Sequence, residues 1–164
     1  MPIHFILTGG TIDSLYNPKS ETAEPATQSC VPDYINRMIH PHDTVTCETV
    51  CMLDSGDIDD ALRQTILDRV LACPHDHIII VHGTNTMTTT QDFLSGKTRD
   101  KVVVLTGAMV PLKEFAMSDG GFNLGYACAE VKNLSSGVYL CMNATTFKVG
   151  TVRKNFAEGL FEPL

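Results

Sequence analysis

Apolar residues in this chain fall into short dense runs separated by stretches with a different rhythm. Ile3 to Leu7 is a nearly continuous apolar run closed by Thr8-Gly9-Gly10, which predicts a buried strand ending in a turn. Val45 to Met52 alternates and is rich in Val and Thr, predicting a second strand. After Asp54-Ser55-Gly56, the positions Ile58, Leu62, Ile66, Leu67, Val70 and Leu71 repeat at helical spacing, with Asp57 or Asp59 as the cap. Pro74 ends that helix. Ile78 to Val81 is a third strand, Thr86 to Leu94 a helix ended by Ser95-Gly96, and Val102 to Leu105 a fourth strand. Phe122 to Val131 reads as another helix and Val138 to Met142 as a fifth strand.

Strands that are apolar on both faces and alternate with helices define an α/β protein: a parallel, Rossmann-like sheet with helices on both faces. Its crossovers are expected to be right-handed. A flavodoxin-like strand order would place the ligand crevice between the first and third strands. Residues 13–31 follow neither rhythm. They read as a solvated loop, long enough to serve as a lid. No repeat or linker divides the chain, so residues 1–164 are expected to form one domain.

Composition narrows the function. Apolar residues make up 43% and charged residues 19% of 164 residues, an ordinary globular composition. The net charge of −7 and the scattering of Lys and Arg argue against nucleic acid or an anionic membrane as partner. Lys97, Arg99 and Lys101 are the nearest approach to a basic cluster. No apolar stretch is long enough to span a bilayer, and the N-terminus reads as a first strand rather than a signal peptide. A cytoplasmic location is expected. The six cysteines, Cys30, Cys47, Cys51, Cys73, Cys128 and Cys141, contain no Cys-x-x-Cys pair and read as reduced, mostly buried thiols. The pairs His40/His42 and His75/His77 have ligand-like spacing but no partner set, so no metal is expected. Asn133-Leu-Ser135 and Asn143-Ala-Thr145 match a glycosylation pattern that carries no meaning in that compartment.

The chemistry-bearing residues gather at the predicted strand ends. Thr8-Gly9-Gly10-Thr11 closes the first strand and His82-Gly83-Thr84-Asn85 the third. Two threonine hydroxyls would then face one crevice among glycines that allow close backbone approach. Asp54-Ser55-Gly56-Asp57 closes the second strand beside it. A threonine at a helix start is more often a cap than a nucleophile, so the argument rests on the joint placement.

Thr-Gly-Gly-Thr-Ile near the N-terminus, His-Gly-Thr-x-Thr-Met after the third strand, Thr-Gly-Ala-Met-x-Pro after the fourth, and Ser-Asp-Gly-x-Phe-Asn-Leu at 118–124 together resemble the bacterial-type L-asparaginases. The order and spacing match over nearly the whole chain, in a short form lacking the smaller C-terminal domain usual in that family. The resemblance implies an amidohydrolase that converts L-asparagine to L-aspartate and ammonia, with no cofactor, acting as a homo-oligomer. It implies Thr11 as primary nucleophile and Thr84 as the second threonine, which activates water or stabilises the oxyanion. Lys154 would pair with Thr84. Substrate contacts would come from Gly10, Asp54, Ser55, Gly83 and Asn85, with Ser55 on the α-carboxylate and the Ala108 carbonyl on the substrate amide. Tyr16 matches the lid tyrosine with altered spacing, and Tyr34 is the alternative. His82 reads as a structural hydrogen-bonder.

Asn85 departs from the family, which has aspartate there to bind the substrate's α-ammonium. A charge-assisted hydrogen bond contributes roughly 1.5–3 kcal/mol and a neutral one about 1, so binding should weaken by about one to two orders of magnitude at most. Gly56 stands where many relatives have glutamine, and poor handling of glutamine as a substrate is expected. Two other readings stay open on the residues alone. One is an amino-acid sensor of the same fold, catalytically weak because of Asn85. The other is a flavin or nucleotide protein, which lacks a Walker A or Gly-x-Gly-x-x-Gly sequence and any Trp to stack on a ring.

Overall fold

A computed structural model describes residues 1–113 and 116–164. Strand β1 (Ile3–Gly9) runs into a short turn, followed by a hairpin of β2 (Ser14–Asn17) and β3 (Thr22–Pro25). A short helix α1 (Val31–Asp33) widens into a π-helical turn at Tyr34–Ile39. Then come β4 (Val45–Leu53), α2 (Asp60–Ala72), β5 (His77–Val81), α3 (Met87–Leu94) and β6 (Val102–Thr106). Helix α4 (Gly120–Glu130) leads to β7 (Gly137–Met142) and β8 (Thr145–Lys148). A second hairpin, β9 (Val152–Asn155) and β10 (Leu160–Pro163), follows.

The main sheet has the order β4-β1-β5-β6-β7-β8. Its first five strands are parallel, in the second-first-third-fourth-fifth sequence expected of a flavodoxin-like fold, and β8 adds an antiparallel edge. The strand-order reversal falls between β1 and β5, where Leu7 sits beside Val81.

The pleat explains why the central strands are apolar throughout. Ile6, Ile78, Ile80, Val103 and Leu105 face α2 and α3, packing with Ile66, Val70, Met87 and Leu94. Phe5, Leu7, Ile79, Val81 and Val104 face the opposite layer, with Val31, Ile35, Leu124 and Ala127. Successive residues point to opposite faces, and both faces are covered. The α2 cap is Asp59, whose carboxylate accepts from Leu62 N at 2.9 Å.

Residues 13–31 are not the structureless loop expected. Most of them form the β2–β3 hairpin, with Ser14 opposite Pro25 and Asn17 opposite Thr22. All four β3 residues are exposed, so no apolar alternation marked the strand. Helix α4 begins two residues before the expected Phe122. Gly120 and Gly121 pack closely there: a Cβ on Gly120 would meet Ile12 Cγ1 at 3.2 Å, and one on Gly121 would collide with the Tyr34 hydroxyl. No helix among the described residues is long and apolar enough to cross a membrane.

Candidate active site

Three strand ends meet at the reversal point. Gly9 and Gly10 carry φ of +88° and +79°, which glycine adopts without Cβ strain. Space demands glycine too. A Cβ on Gly10 would run into Gly83 Cα and N, and a Cβ on Gly83 would lie 2.7 Å from Ser55 Cβ and 2.8 Å from Ser55 Oγ. The turns bearing Thr11 and Thr84 are therefore pressed together at the backbone, with the Ser55 side chain against Gly83. Thr11 opens a short 3₁₀ turn (Thr11–Asp13) fixed by Asp13 N and Ser14 Oγ donating to the Gly10 carbonyl at 3.1 Å each. Ser55 is buried, and Thr86 Oγ1 donates to its carbonyl at 2.7 Å.

Lys154 arrives from the far end of the sequence. On β9, its Nζ donates to Thr84 Oγ1 at 2.8 Å and to Asn85 Oδ1 at 2.6 Å. The same nitrogen lies 4.8 Å from the ring centroid of Phe156, an exposed aromatic. Partial burial lowers the Lys154 pKa, opposed by the Asp54 charge. Lowering favours the neutral amine, the form that can accept a proton. The Asp54 carboxylate is exposed and accepts from Gly56 N at 2.8 Å, capping the turn that carries Ser55.

His82 is fully buried, and burial pushes its pKa down to about 4. Its Nδ1 is 2.7 Å from the Gly83 carbonyl, and its Nε2 is 2.9 Å from Thr90 Oγ1. A carbonyl only accepts, so Nδ1 carries the hydrogen and Nε2 accepts from Thr90. Arg63 Nε completes the chain by donating to Thr90 Oγ1 at 3.2 Å. A neutral imidazole committed at both nitrogens is a structural element, as its sequence context predicts.

Ala108 is buried in the turn after β6. Asp119 holds that turn by accepting from Met109 N at 3.0 Å and Val110 N at 2.9 Å, and Asn123 Nδ2 donates to the Gly107 carbonyl at 3.0 Å. With its carboxylate committed there, Asp119 makes no side-chain cap bond to α4. Sequence reasoning quoted the motif containing Asp119 and Asn123 without giving either a role. Thr86, visible in the sequence only as a helix start and a motif member, and Thr90 and Arg63, unmarked there, gain their roles from partners 27 or 31 positions away, which nothing local signals.

Other candidates lie apart. Thr8 and Thr106 are buried and donate to Val81 and Cys141 carbonyls at 2.9 Å, tying neighbouring strands together. Tyr16 is half-exposed on the β2–β3 hairpin. Tyr34, the alternative lid residue, packs beside Gly121 and lines a cleft of about 530 Å³ shared with Ser14, Cys30, Arg37 and Leu112. Burial raises the Cys30 thiol to about 12 and those of Cys47, Cys128 and Cys141 to about 11, so these thiols are poor nucleophiles. No group of three or more metal-capable side chains occurs among the described residues.

A flavodoxin-like sheet with paired Gly-Thr turns at its switch point defines the class. The asparaginase N-terminal domain family matches residues 2–161, and the chain belongs to that family. It is 31% identical over 160 residues to L-asparaginase 2 of Escherichia coli (strain K12), covering 93% of this chain and 46% of that one. It is also 31% identical over 149 residues to a probable periplasmic L-asparaginase of Haemophilus influenzae, covering 86% and 42% of the two chains. Among solved structures, the thermostable L-asparaginase from Thermococcus kodakarensis superposes with a TM-score of 0.83 at 25% identity, over all of this chain and 51% of that one. A probable cytoplasmic L-asparaginase from Campylobacter jejuni gives 0.83 at 26% identity, over 98% and 52%. The chain thus spans about half the length of the relatives it matches.

Proposed function

We propose that this chain hydrolyses the side-chain amide of L-asparagine, releasing ammonia and L-aspartate. The observation that supports the reading is Lys154 Nζ bonded to Thr84 Oγ1 at 2.8 Å, from a hairpin 70 residues away, next to the close approach of Gly10, Gly83 and Ser55. A hydroxyl activates nothing unless a neighbour takes its proton, and an amine with a lowered pKa beside Thr84, the residue assigned to the attacking water, is suited to that task.

In this reading Thr11 Oγ1 attacks the amide carbon, its proton passes to the amide nitrogen as the C–N bond breaks, and ammonia leaves an acyl-enzyme. Water then attacks the ester carbon, and Thr11 regains its proton as aspartate departs. Thr84, held by Lys154, activates that water or stabilises the oxyanion with its hydroxyl and backbone N–H. Ser55 takes the α-carboxylate, the Ala108 carbonyl takes the substrate amide, and Gly10, Gly83, Asp54 and Asn85 line the pocket. Tyr16, on the β2–β3 hairpin, is read as the residue that closes over the substrate. Residues 1–164 are read as one domain of the N-terminal type, assembling as a homo-oligomer around this small-molecule site without a cofactor.

The test is ammonia release on adding L-asparagine to the purified protein, with Thr11→Val and Thr84→Val alongside. Turnover in the parent and its loss in both variants supports the proposal. Thermal stabilisation by L-aspartate without any ammonia would instead mark a binding module, and the hydrolase reading would be wrong.

A further inference from the structure

We infer that Asn143 is a positioning residue that sets where Lys154 sits; this rests on the proposed hydrolytic role of Lys154. The β9–β10 hairpin is a separate two-stranded sheet outside the main one. An isolated two-stranded hairpin is marginal in water, so the position of Lys154 depends on how this hairpin is anchored. Val152 and Phe161 bury apolar side chains in the core, but apolar contact is non-directional and sets no register. The directional anchor is polar. Phe161 N donates to Asn143 Oδ1 at 2.9 Å, and Phe161 is the β10 residue paired with Lys154 on β9. The Asn143 amide therefore grips the hairpin at the rung that bears the amine.

Asn143 is itself held firmly. Asn143 and Ala144 form the two-residue turn between Met142 and Thr145, with φ of +53° and +55°, the left-handed pair that such a hairpin requires. Asparagine tolerates that region better than most residues. Asn143 N donates to Asn123 Oδ1 at 3.3 Å. Asn123 is buried, and its Nδ2 donates both to the Gly107 carbonyl at 3.0 Å and to Asp119 Oδ2 at 2.9 Å. Asp119 in turn holds Met109 N and Val110 N. An unbroken polar chain thus joins the rung of Lys154 to the turn of Ala108. These two parts of the candidate site belong to different sheets, and Asn143 links them.

The test compares Asn143→Gly, which keeps the left-handed turn but removes the acceptor, with Asn143→Asp, which keeps an acceptor oxygen. Asn143→Ser, too short to reach Phe161 N, replaces the glycine variant should that one not fold. Misplacing a reacting group by about 1 Å costs about a hundredfold. In Asn143→Gly we expect kcat for L-asparagine to fall ten- to a hundredfold by that measure, with KM within about twofold and most of the loss recovered in Asn143→Asp. A second readout needs no turnover: the pH dependence of Lys154 labelling by an amine reagent, followed by peptide mass spectrometry. Its midpoint should move upward, toward an ordinary lysine, in Asn143→Gly only. If the parent releases ammonia but Asn143→Gly leaves kcat and the labelling midpoint unchanged, the positioning role is wrong. If the parent releases none while the midpoint still shifts, the hydrolase reading fails and the positioning role stands.

Discussion

Lys154 Nζ donates to Asn85 Oδ1 at 2.6 Å, the shorter of its two hydrogen bonds at the site. The amine is therefore held by a neutral acceptor rather than by a carboxylate. A charge at position 85 would favour the protonated lysine and would give a substrate ammonium an ionic partner. Asn85→Asp should raise kcat/KM for L-asparagine by about two- to thirtyfold, chiefly through KM. Steady-state kinetics on the two proteins decide it, and an unchanged kcat/KM would show that residue 85 does not meet the substrate.

Lys154→Met keeps much of the stem and removes the amine. A positioned proton-transfer group contributes about 10²–10⁴ in rate, so kcat should fall at least a hundredfold. Stabilisation by L-aspartate in a thermal melt should persist, because the carboxylate contact is assigned to Ser55. Loss of both together would mean the hairpin had been displaced instead.

Glycine at position 10 is required by conformation and by space, whereas glycine at position 96 is required by conformation alone. Gly10 has φ +79° with the Gly83 backbone pressed against it, while Gly96 has φ +70° and nothing within 4 Å of an added Cβ. Gly96→Ala should lose roughly 1–2 kcal/mol, the left-handed penalty. Gly10→Ala should lose more, since backbone must move. A chain of this size shifts about 2–4 °C per kcal/mol, so differential scanning calorimetry separates the two. Equal melting temperatures would refute the close approach of the Gly10 and Gly83 turns.

His82 links stability to pH. Its folded pKa of about 4 lies below the ordinary 6.5, so the folded protein binds fewer protons than the unfolded chain between those values. Its stabilising contribution is intact above pH 6.5 and disappears as pH falls toward 4. Since each pKa unit corresponds to about 1.4 kcal/mol, the loss is on the order of 3 kcal/mol. Urea unfolding across that range should show a decline that His82→Gln largely removes, at the expense of lower stability at neutral pH. A parallel decline in both proteins would assign it to carboxylates instead.

Much of the fold is legible along the chain because a parallel sheet covered on both faces must be built from apolar runs. The runs at β1, β5, β6 and β7 could belong to little else, and the glycines and threonines after them marked the crevice. The β2–β3 hairpin was invisible because its residues are largely exposed and carry no periodic burial signal. Tyr34 and Tyr16 could not be told apart by spacing, since the difference lies in packing: Tyr34 is turned toward Gly121, and Tyr16 stays half-exposed.

The sequence by itself determined the layer architecture, the alternation of strands and helices along the chain and the turn that each threonine occupies. These depend on which residues avoid water and which backbones need glycine, both readable within a few positions. The pairing of Lys154 with Thr84 is implied by the family resemblance and not by any local pattern. Only the tertiary structure decided that His82 is neutral with its hydrogen on Nδ1 and that Asn143 ties the last hairpin to the Ala108 turn. Polar side chains paired over tens of residues leave no periodic trace, because their partners are chosen by the path of the chain through space.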